Sequence, residues 1–216
     1  MLIMKNIVIY GAGGFGREIA CLIKRLNAIK PEWNLLGFID DGIPAGTKNE
    51  YGEVLGGIAY LNQYQEPISV ALAIGSPGIL EELAKKITNH RVSYPNLIDP
   101  EVFFLDKETV KLGKGNLICA KTVVSCHVTF GDFNVVNIGA GIGHDAVLGD
   151  YNVVMPNVNI SGGVTVGNGN LFGVKSTVMQ YLKIGDGITL GANSLLIKSV
   201  KEKALYMGAP AKKIIV

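Results

Sequence analysis

The most constraining feature of this 216-residue chain is an internal repeat of 18 residues that divides into thirds. Every sixth residue from Leu112 to Leu196, fifteen positions in all, is Leu, Ile, Val or Phe. An α-helix repeats near 3.6 residues and a half-buried strand at 2, so a period of six fits neither. It predicts a triangular prism in which three short strands form one coil and the aliphatic side chains of successive coils stack inside.

The composition agrees with a column of tight turns around an aliphatic core. The chain has 28 glycines and 48% hydrophobic residues, but only 18% charged and 7% aromatic residues. A helical bundle would carry more charge and less glycine. Five glycines begin the turns at intervals of 18 residues: Gly113, Gly131, Gly149, Gly167 and Gly185. We expect about five coils between residues 108 and 197.

The N-terminal region predicts a nucleotide-binding α/β unit. A buried strand at residues 7–10 leads into Gly11-Ala12-Gly13-Gly14-Phe15-Gly16, then a helix through residues 17–27, and a second strand at 35–39 ends in Asp40-Asp41. Free N–H groups at a helix N-terminus suit a phosphate. The glycines and the acidic pair also match the dinucleotide-binding pattern.

A complete dinucleotide fold is nevertheless too large for the region. Only about four strands fit before the repeat begins, at residues 7–10, 35–39, 70–74 and 92–94. Half a fold suits a mononucleotide, such as the nucleotide part of a nucleotide-sugar. Gly75 follows the third strand, where parallel sheets bind ligands. The prediction is therefore a Rossmann-like domain at residues 1–95 and a β-helix domain at residues 96–216.

His144 is the strongest catalytic candidate among three histidines. It follows Ile142-Gly143 at a predicted turn of the prism, where it would point outwards, and Asp145 follows it. An adjacent carboxylate fixes one imidazole nitrogen as a donor and makes the other a better base. Gly162 falls 18 residues later, directly beneath His144 in the stack. No Cys or Ser near His144 is placed as a nucleophile, so we expect direct transfer without a covalent intermediate.

The aliphatic pattern at every sixth residue resembles that of the hexapeptide-repeat acyltransferases. Its combination with a small Gly-turn domain resembles the nucleotide-sugar N-acetyltransferases and the related sialic acid O-acetyltransferases. The matching segments are Tyr10 to Gly16, Phe38 to Asp41, Ala73 to Gly75, and the tail Gly208 to Lys212. The resemblance implies left-handed coils, a homotrimer and acetyl-CoA in the groove between neighbouring prisms. It also implies that His144 and Asp145 are the catalytic pair.

The resemblance assigns further contacts residue by residue. The amide of Gly162 would lie near the thioester carbonyl, and the coenzyme would run past Gly173, Gly191 and Lys212. The nucleotide-sugar would lie on Gly11, Gly13, Gly14, Phe15, Gly16, Asp40, Asp41 and Gly75. Relatives often have His where this chain has Phe15, so the resemblance implies a backbone contact at this position and no side-chain contact.

The function predicted is transfer of acetyl from acetyl-CoA to a nucleotide-linked amino sugar of the UDP-4-amino-sugar type, in surface glycan biosynthesis. Two alternatives stay open: O-acetylation of sialic acid or another sugar, and a non-catalytic trimeric scaffold that binds nucleotide-sugars. A net charge of +2 without a basic block argues against nucleic acid or membrane as partner. Three cysteines without metal spacing predict reduced thiols, no metal and a cytoplasmic protein.

Overall fold

The computed structural model describes residues 4–215, and its N-terminal part is an α/β domain. The apolar runs of the sequence form the central strands and the residues with one apolar face form the helices. The elements are β1 Lys5–Tyr10, α1 Gly14–Ile29, β2 Trp33–Ile39, β3 Lys48–Asn49, β4 Gly52–Gly56, α2 Ile58–Gln63, β5 Ile68–Leu72, α3 Pro77–Lys86 and β6 Val92–Ser93.

The sheet of this domain has the strand order β3-β4-β2-β1-β5-β6. All neighbours are parallel except β3 and β4, which form an antiparallel hairpin. The expectation of about four strands was therefore too low, because β3 and β4 lie in a segment rich in Gly and polar residues that reads as a loop. The carboxyl ends of β1, β2 and β5 meet at one edge of the sheet, which places Gly11, Asp40 and Gly75 close together.

The C-terminal part is a left-handed parallel β-helix with three faces, as the sequence predicted. Face 1 contains β7 Leu97–Ile98, β10 Leu117–Ile118, β13 Val135–Val136, β16 Val153–Val154, β19 Leu171–Phe172, β22 Thr189–Leu190, β24 Leu205–Gly208 and β25 Ala211–Lys213. Face 2 contains β8 Phe103–Phe104, β11 Val123–Val124, β14 Gly141–Ile142, β17 Asn159–Ile160, β20 Thr177–Val178 and β23 Leu195–Leu196. Face 3 contains β9 Lys111–Leu112, β12 Thr129–Phe130, β15 Val147–Leu148, β18 Thr165–Val166 and β21 Lys183–Ile184.

The one-in-six aliphatic stripe forms the interior of the prism. Each stripe residue is the second residue of a strand, and those from Ile118 to Leu196 pack in one buried cluster. Face 3 has five strands, so five complete coils are present, followed by a partial one that ends in the bridge between Ile184 and Val200. The first coil begins at Leu97, upstream of the predicted repeat, because a 3-10 turn at Lys107–Thr109 interrupts the six-residue spacing.

The corners of the prism repeat one backbone conformation. Every sixth residue from Gly115 to Asn193 has a positive φ, between 55° and 70°. Nine of these residues are not glycine. We call the turns between faces 1 and 2 corner 1, those between faces 2 and 3 corner 2, and those between faces 3 and 1 corner 3.

Corner 3 is held by two ladders of polar side chains. Asn116, Asn134, Asn152 and Asn170 are fully buried, and each Oδ1 accepts the amide N–H of the residue one coil further on. The second ladder lies outside the buried asparagines. In it the carboxylate of Asp150 accepts the amide N–H of Asp132 at 2.7 Å, and an equivalent bond recurs in neighbouring coils. Because buried amides need partners, these ladders stabilise the turns where the core is thinnest.

The N-terminal domain covers face 1. The outward residues Leu117, Val135 and Val153 are buried in the same cluster as the core of the α/β domain. Arg25 of α1 forms two hydrogen bonds to Asp99 of the first coil, at 2.9 and 3.1 Å, and Asp99 is only 4% exposed. Faces 2 and 3 and corner 2 therefore remain open on the other side of the prism.

Candidate active site

His144 and Asp145 lie on the outer surface of corner 2 and are bonded to each other. His144 Nδ1 is 2.8 Å from Asp145 Oδ2, and both side chains are exposed. Asp145 occupies the positive-φ position of the turn, with φ 57°, and its amide donates to the carbonyl of Cys126 one coil above. With Nδ1–H donating to the carboxylate, Nε2 has a free lone pair that can accept a proton.

The imidazole of His144 lies over Gly162 in the next coil. A Cβ added to Gly162 would be 2.5 Å from Nε2 and 2.6 Å from Cε1 of His144. A side chain at position 162 would therefore push the ring away. The 18-residue period brings the two residues together, as the sequence predicted, and the absence of a side chain sets the ring directly against the main chain.

The amide N–H of Gly162 is free. Among residues 4–215 it has no hydrogen-bond partner, whereas the corresponding amides at corner 3, those of Asp132 and Asp150, donate to a carboxylate or amide oxygen one coil below. Gly143 also leaves it uncovered, since a Cβ on Gly143 would overlap the Gly162 nitrogen. A free donor beside an unoccupied imidazole nitrogen is suited to stabilise a developing oxyanion.

The Gly turn of the N-terminal domain is built for close approach of a ligand to the backbone. Gly11 has φ 103° and packs against the carbonyl of Ala73, and Gly16 leaves no room for a Cβ next to the Gly11 carbonyl. Gly13 and Gly14 are exposed with open space around them. Gly13 caps α1 without a side-chain hydrogen bond, so the N–H groups of the first turn are available for an anion. Phe15 is half-buried against the domain core.

Asp40 and Asp41 bind the backbone of their own domain. Asp40 Oδ2 accepts from the amide of Ala12 at 2.9 Å, and Asp41 Oδ1 accepts from the amide of Ile58 at 2.8 Å. The hydroxyl of Tyr10 donates to the other oxygen of Asp41, and burial together with that carboxylate raises the pKa of Tyr10 well above its usual range. The acidic pair therefore holds the Gly turn and the start of α2 in place.

Gly75 lies beside a cleft between the two domains. Nothing lies within 4 Å of a Cβ added to Gly75, and the next three residues, 76–78, line a cleft of about 560 Å³. Its other wall is corner 3 of the β-helix, with Asn168, Asp186 and Lys203. The cleft extends from the carboxyl edge of the N-terminal sheet, where parallel sheets bind ligands.

The predicted coenzyme residues lie at corner 1 and at the end of face 1, away from His144. Gly173 and Gly191 stack in successive coils, and a Cβ on Gly173 would be 2.5 Å from the amide nitrogen of Ala192. A Cβ on Gly191 would meet Cγ of Met207 at 2.5 Å. Lys212 is exposed on β25. One chain thus carries the predicted site residues in three separate places: the Gly turn on face 1, Gly173 and Gly191 at corner 1, and His144 at corner 2.

Sequence reasoning missed Tyr181 at corner 2. Tyr181 and Gly163 share the column of Asp145 at intervals of 18 residues, so the period that located Gly162 could have located Tyr181. Among residues 4–215 no helix is long and apolar enough to cross a bilayer, and no three His, Cys, Asp or Glu side chains are placed to hold a metal ion.

Comparison with known proteins agrees with this architecture. Residues 6–87 match the family model of the PglD N-terminal domain. No curated protein sequence is significantly similar to the chain. Among solved structures, the acetyltransferase domain of PglB from Neisseria gonorrhoeae FA1090 in complex with acetyl coenzyme A is 25% identical, with a TM-score of 0.88, and the match covers 98% of this chain and 100% of that one.

Two further structures match over nearly their whole length. PerB from Caulobacter crescentus, in complex with CoA and GDP-perosamine, is 26% identical with a TM-score of 0.84, and the match covers 99% of both chains. WeeI from Acinetobacter baumannii AYE is 26% identical with a TM-score of 0.79, over 98% of this chain and 100% of that one.

A Rossmann-like domain on one face of a β-helix with an exposed His–Asp pair defines a hexapeptide-repeat acyltransferase. The resemblance that the sequence predicted is confirmed: residues 6–87 match the PglD N-terminal domain, and the whole chain is similar in structure to hexapeptide-repeat sugar acetyltransferases.

Proposed function

We propose that this protein transfers acetyl from acetyl-CoA to the amino group of a nucleotide-linked amino sugar, of the UDP-4-amino-sugar type, in surface glycan biosynthesis. The observation that carries the proposal is the His144–Asp145 pair, whose Nε2 lies against Gly162, a residue with an unbonded amide. The similar structures support the choice of substrates, since PglB is described with acetyl coenzyme A and PerB with CoA and GDP-perosamine.

The chemistry that this geometry supports is direct transfer. The amine nitrogen attacks the thioester carbonyl carbon, and the carbonyl oxygen gains negative charge that the Gly162 N–H stabilises. His144 Nε2 removes a proton from the amine nitrogen as the new C–N bond forms, and Asp145 stabilises the imidazolium. The C–S bond then breaks, and His144 returns the proton to the departing thiolate. Acetylated sugar and CoA are the products, and the enzyme is unchanged.

A second part of the proposal is that the working unit is a homotrimer with sites between subunits. The Gly turn lies on face 1, whereas His144 lies at corner 2, the one corner that does not border face 1. A sugar held by the N-terminal domain of one chain would therefore meet the histidine of another. Phe103 and Leu105, at face 2, are 62% and 58% exposed, which supports contact with a second copy there.

We also propose how the nucleotide-sugar and the coenzyme bind. The N–H groups of Gly13, Gly14 and Phe15 at the start of α1 take the phosphates, Gly75 and the cleft beside it accommodate the rest of the nucleotide, and Gly173, Gly191 and Lys212 line the coenzyme groove. Asp40 and Asp41 hold the Gly turn and the start of α2 in place by accepting hydrogen bonds from backbone amides. The three cysteines are unpaired, which supports a reducing, cytoplasmic setting.

The test is release of thiol from acetyl-CoA with a panel of UDP- and GDP-linked amino sugars. We expect release with the wild type and a rate at least about a hundredfold lower with His144→Ala, because the proton acceptor is lost. His90→Ala is the matched control, since His90 is exposed in a turn of the other domain.

The other outcomes are equally distinct. Undiminished release by His144→Ala would remove this histidine from the mechanism. Release with sialic acid or another hydroxyl acceptor, but with no amino sugar, would make the protein an O-acetyltransferase. Binding of nucleotide-sugars without any thiol release would make it a scaffold.

A further inference from the structure

Tyr181 lies two coils below Asp145 in the column of positive-φ residues at corner 2. Between them is Gly163, which has φ 67° and no side chain. The ring of Tyr181 occupies the space that a Gly163 side chain would fill, since a Cβ added there would be 2.6 Å from Cε1 of Tyr181. The ring therefore rises from its own coil onto the coil of Gly162 and Gly163.

The imidazole of His144 reaches the neighbouring Gly162 from the coil above. Its Nε2 would be 2.5 Å from a Cβ on Gly162. The Gly162-Gly163 main chain is thus contacted by two rings, by the imidazole of His144 at Gly162 and by the ring of Tyr181 at Gly163. The unbonded N–H of Gly162 belongs to the same pair of residues.

Packing within residues 4–215 accounts poorly for a tyrosine at this position. Its side chain is 71% exposed, and among residues 4–215 its hydroxyl has no hydrogen-bond partner. Its φ of 59° is costly for a bulky residue, whereas Gly or Asn would adopt it more readily. Beyond its contact with the Gly163 main chain, this exposed ring with an unbonded hydroxyl and a costly backbone conformation gains little from residues 4–215, which favours a contact with a ligand.

We infer that the ring of Tyr181 lines one side of the binding site for the transferred acyl group (the acyl site). We infer also that this ring restricts the transferred group to acetyl. This inference rests on the proposed function. A thioester whose carbonyl oxygen accepts from the Gly162 N–H has its acyl methyl beside the Gly162-Gly163 main chain, where the ring of Tyr181 offers an apolar surface at Gly163. A longer acyl chain would meet that ring. Tyr181 is thus a specificity-determining residue, and its ring, not its hydroxyl, makes the contact.

The experiment compares acetyl-CoA with butyryl-CoA as donors for the wild type, Tyr181→Phe and Tyr181→Ala. Discrimination of one or two methylene groups by an apolar wall is worth roughly 10- to 200-fold. We therefore expect the ratio of kcat/KM for acetyl-CoA to that for butyryl-CoA to fall at least about tenfold in Tyr181→Ala, and to stay unchanged in Tyr181→Phe. Calorimetric titration with butyryl-CoA should show tighter binding to Tyr181→Ala than to the wild type.

Lys121→Ala is the matched control, because Lys121 has a similar φ of 58° but lies at corner 1, outside the acyl site. It should leave both the donor ratio and the binding of butyryl-CoA as in the wild type. An unchanged donor ratio in Tyr181→Ala, with an active wild type, would overturn the inference and leave the proposed function intact. An equal drop in Tyr181→Phe would assign the effect to the hydroxyl and also overturn it. An inactive wild type would refute the proposed function itself.

Discussion

Gly162 combines an unbonded amide with an imidazole that rests against its α-carbon. Gly162→Ala would place a methyl group 2.5 Å from the present position of His144 Nε2. The imidazole is the end of a mobile side chain, so the fold tolerates the change while the ring is displaced. We expect kcat to fall by roughly 10²–10³, the usual effect of disturbing an oxyanion site. Steady-state kinetics with thermal melting of the same samples would measure both effects.

The control for that variant is Gly141→Ala. Gly141 lies in the same coil as His144, and an added Cβ would meet only the side-chain oxygen of Asn159 at 2.8 Å. Its kcat should stay within about twofold of the wild type, because surface substitutions away from a site have small effects. A Gly162→Ala enzyme with normal kcat would show that neither the amide nor the imidazole position matters for the chemistry.

The sequence predicts much of this site because a period of 18 turns positions in the chain into neighbours in space. It places Gly162 beneath His144 without any structure. It does not show that the Gly162 N–H is unbonded. At corner 3 the equivalent N–H donates to an Asp or Asn side chain 18 residues later, whereas the residue 18 positions after Gly162 is Gln180. Nor does it show that Asp40 is bound to the amide of Ala12, since strand-end carboxylates serve turns and ligands alike.

At the scale of elements, the asparagine ladder at corner 3 stabilises every turn that it crosses. Asn134 is fully buried, and its Oδ1 accepts from both the amide and the side chain of Asn152 at 3.0 Å. Asn134→Ala leaves these donors without a partner in a site that water does not reach. We expect a loss of about 3 kcal/mol in the free energy of unfolding, measured in urea. Asn159→Ala, on the exposed side of β17, should cost less than about 0.5 kcal/mol. Equal losses in the two variants would contradict a special role for the ladder.

The β-helix is predictable wherever the six-residue spacing is unbroken. Eight residues separate Phe104 from Leu112, instead of six, because the turn at Lys107–Thr109 adds two. The stripe read backwards from Leu112 therefore falls on Asp106 and Pro100, and the first coil is missed. The hairpin of β3 and β4 is not predicted from the sequence for another reason. Its strands are short, and Gly52 and Gly56 within it are residues typical of turns.

At the scale of the whole molecule, the sequence gives two domains but not the face on which they meet. The difference is visible only in the outward residues of the strands. Those of face 1 are Leu117, Val135 and Val153, whereas face 3 presents mostly polar residues at equivalent positions: Lys111, Thr129, Val147, Thr165 and Lys183. A covered face must be apolar on both sides, so this pattern selects face 1 once the strands are known. The same docking separates the Gly turn from His144.

That separation predicts complementation between two inactive variants. His144→Ala loses the base but keeps the Gly turn. Gly14→Asp keeps His144 and places a carboxylate at the exposed first residue of α1, where it suits the helix dipole but repels a phosphate. In trimers of mixed composition, some sites combine the intact Gly turn of one protomer with the intact His144 of the next. A cyclic trimer that contains both variants has one such site out of three, so these trimers should show about a third of wild-type activity.

The measurement is thiol release by mixed oligomers, obtained by co-expressing the two variants with different affinity tags and purifying on both. Co-expression of His144→Ala with His144→Asn is the control, and it should restore nothing, because no protomer then supplies a base. If the doubly tagged oligomers of His144→Ala and Gly14→Asp stayed as inactive as their parents, each site would have to be completed within one chain. The nucleotide-sugar would then have to reach round the prism from face 1 to corner 2, a path that the covered face does not offer.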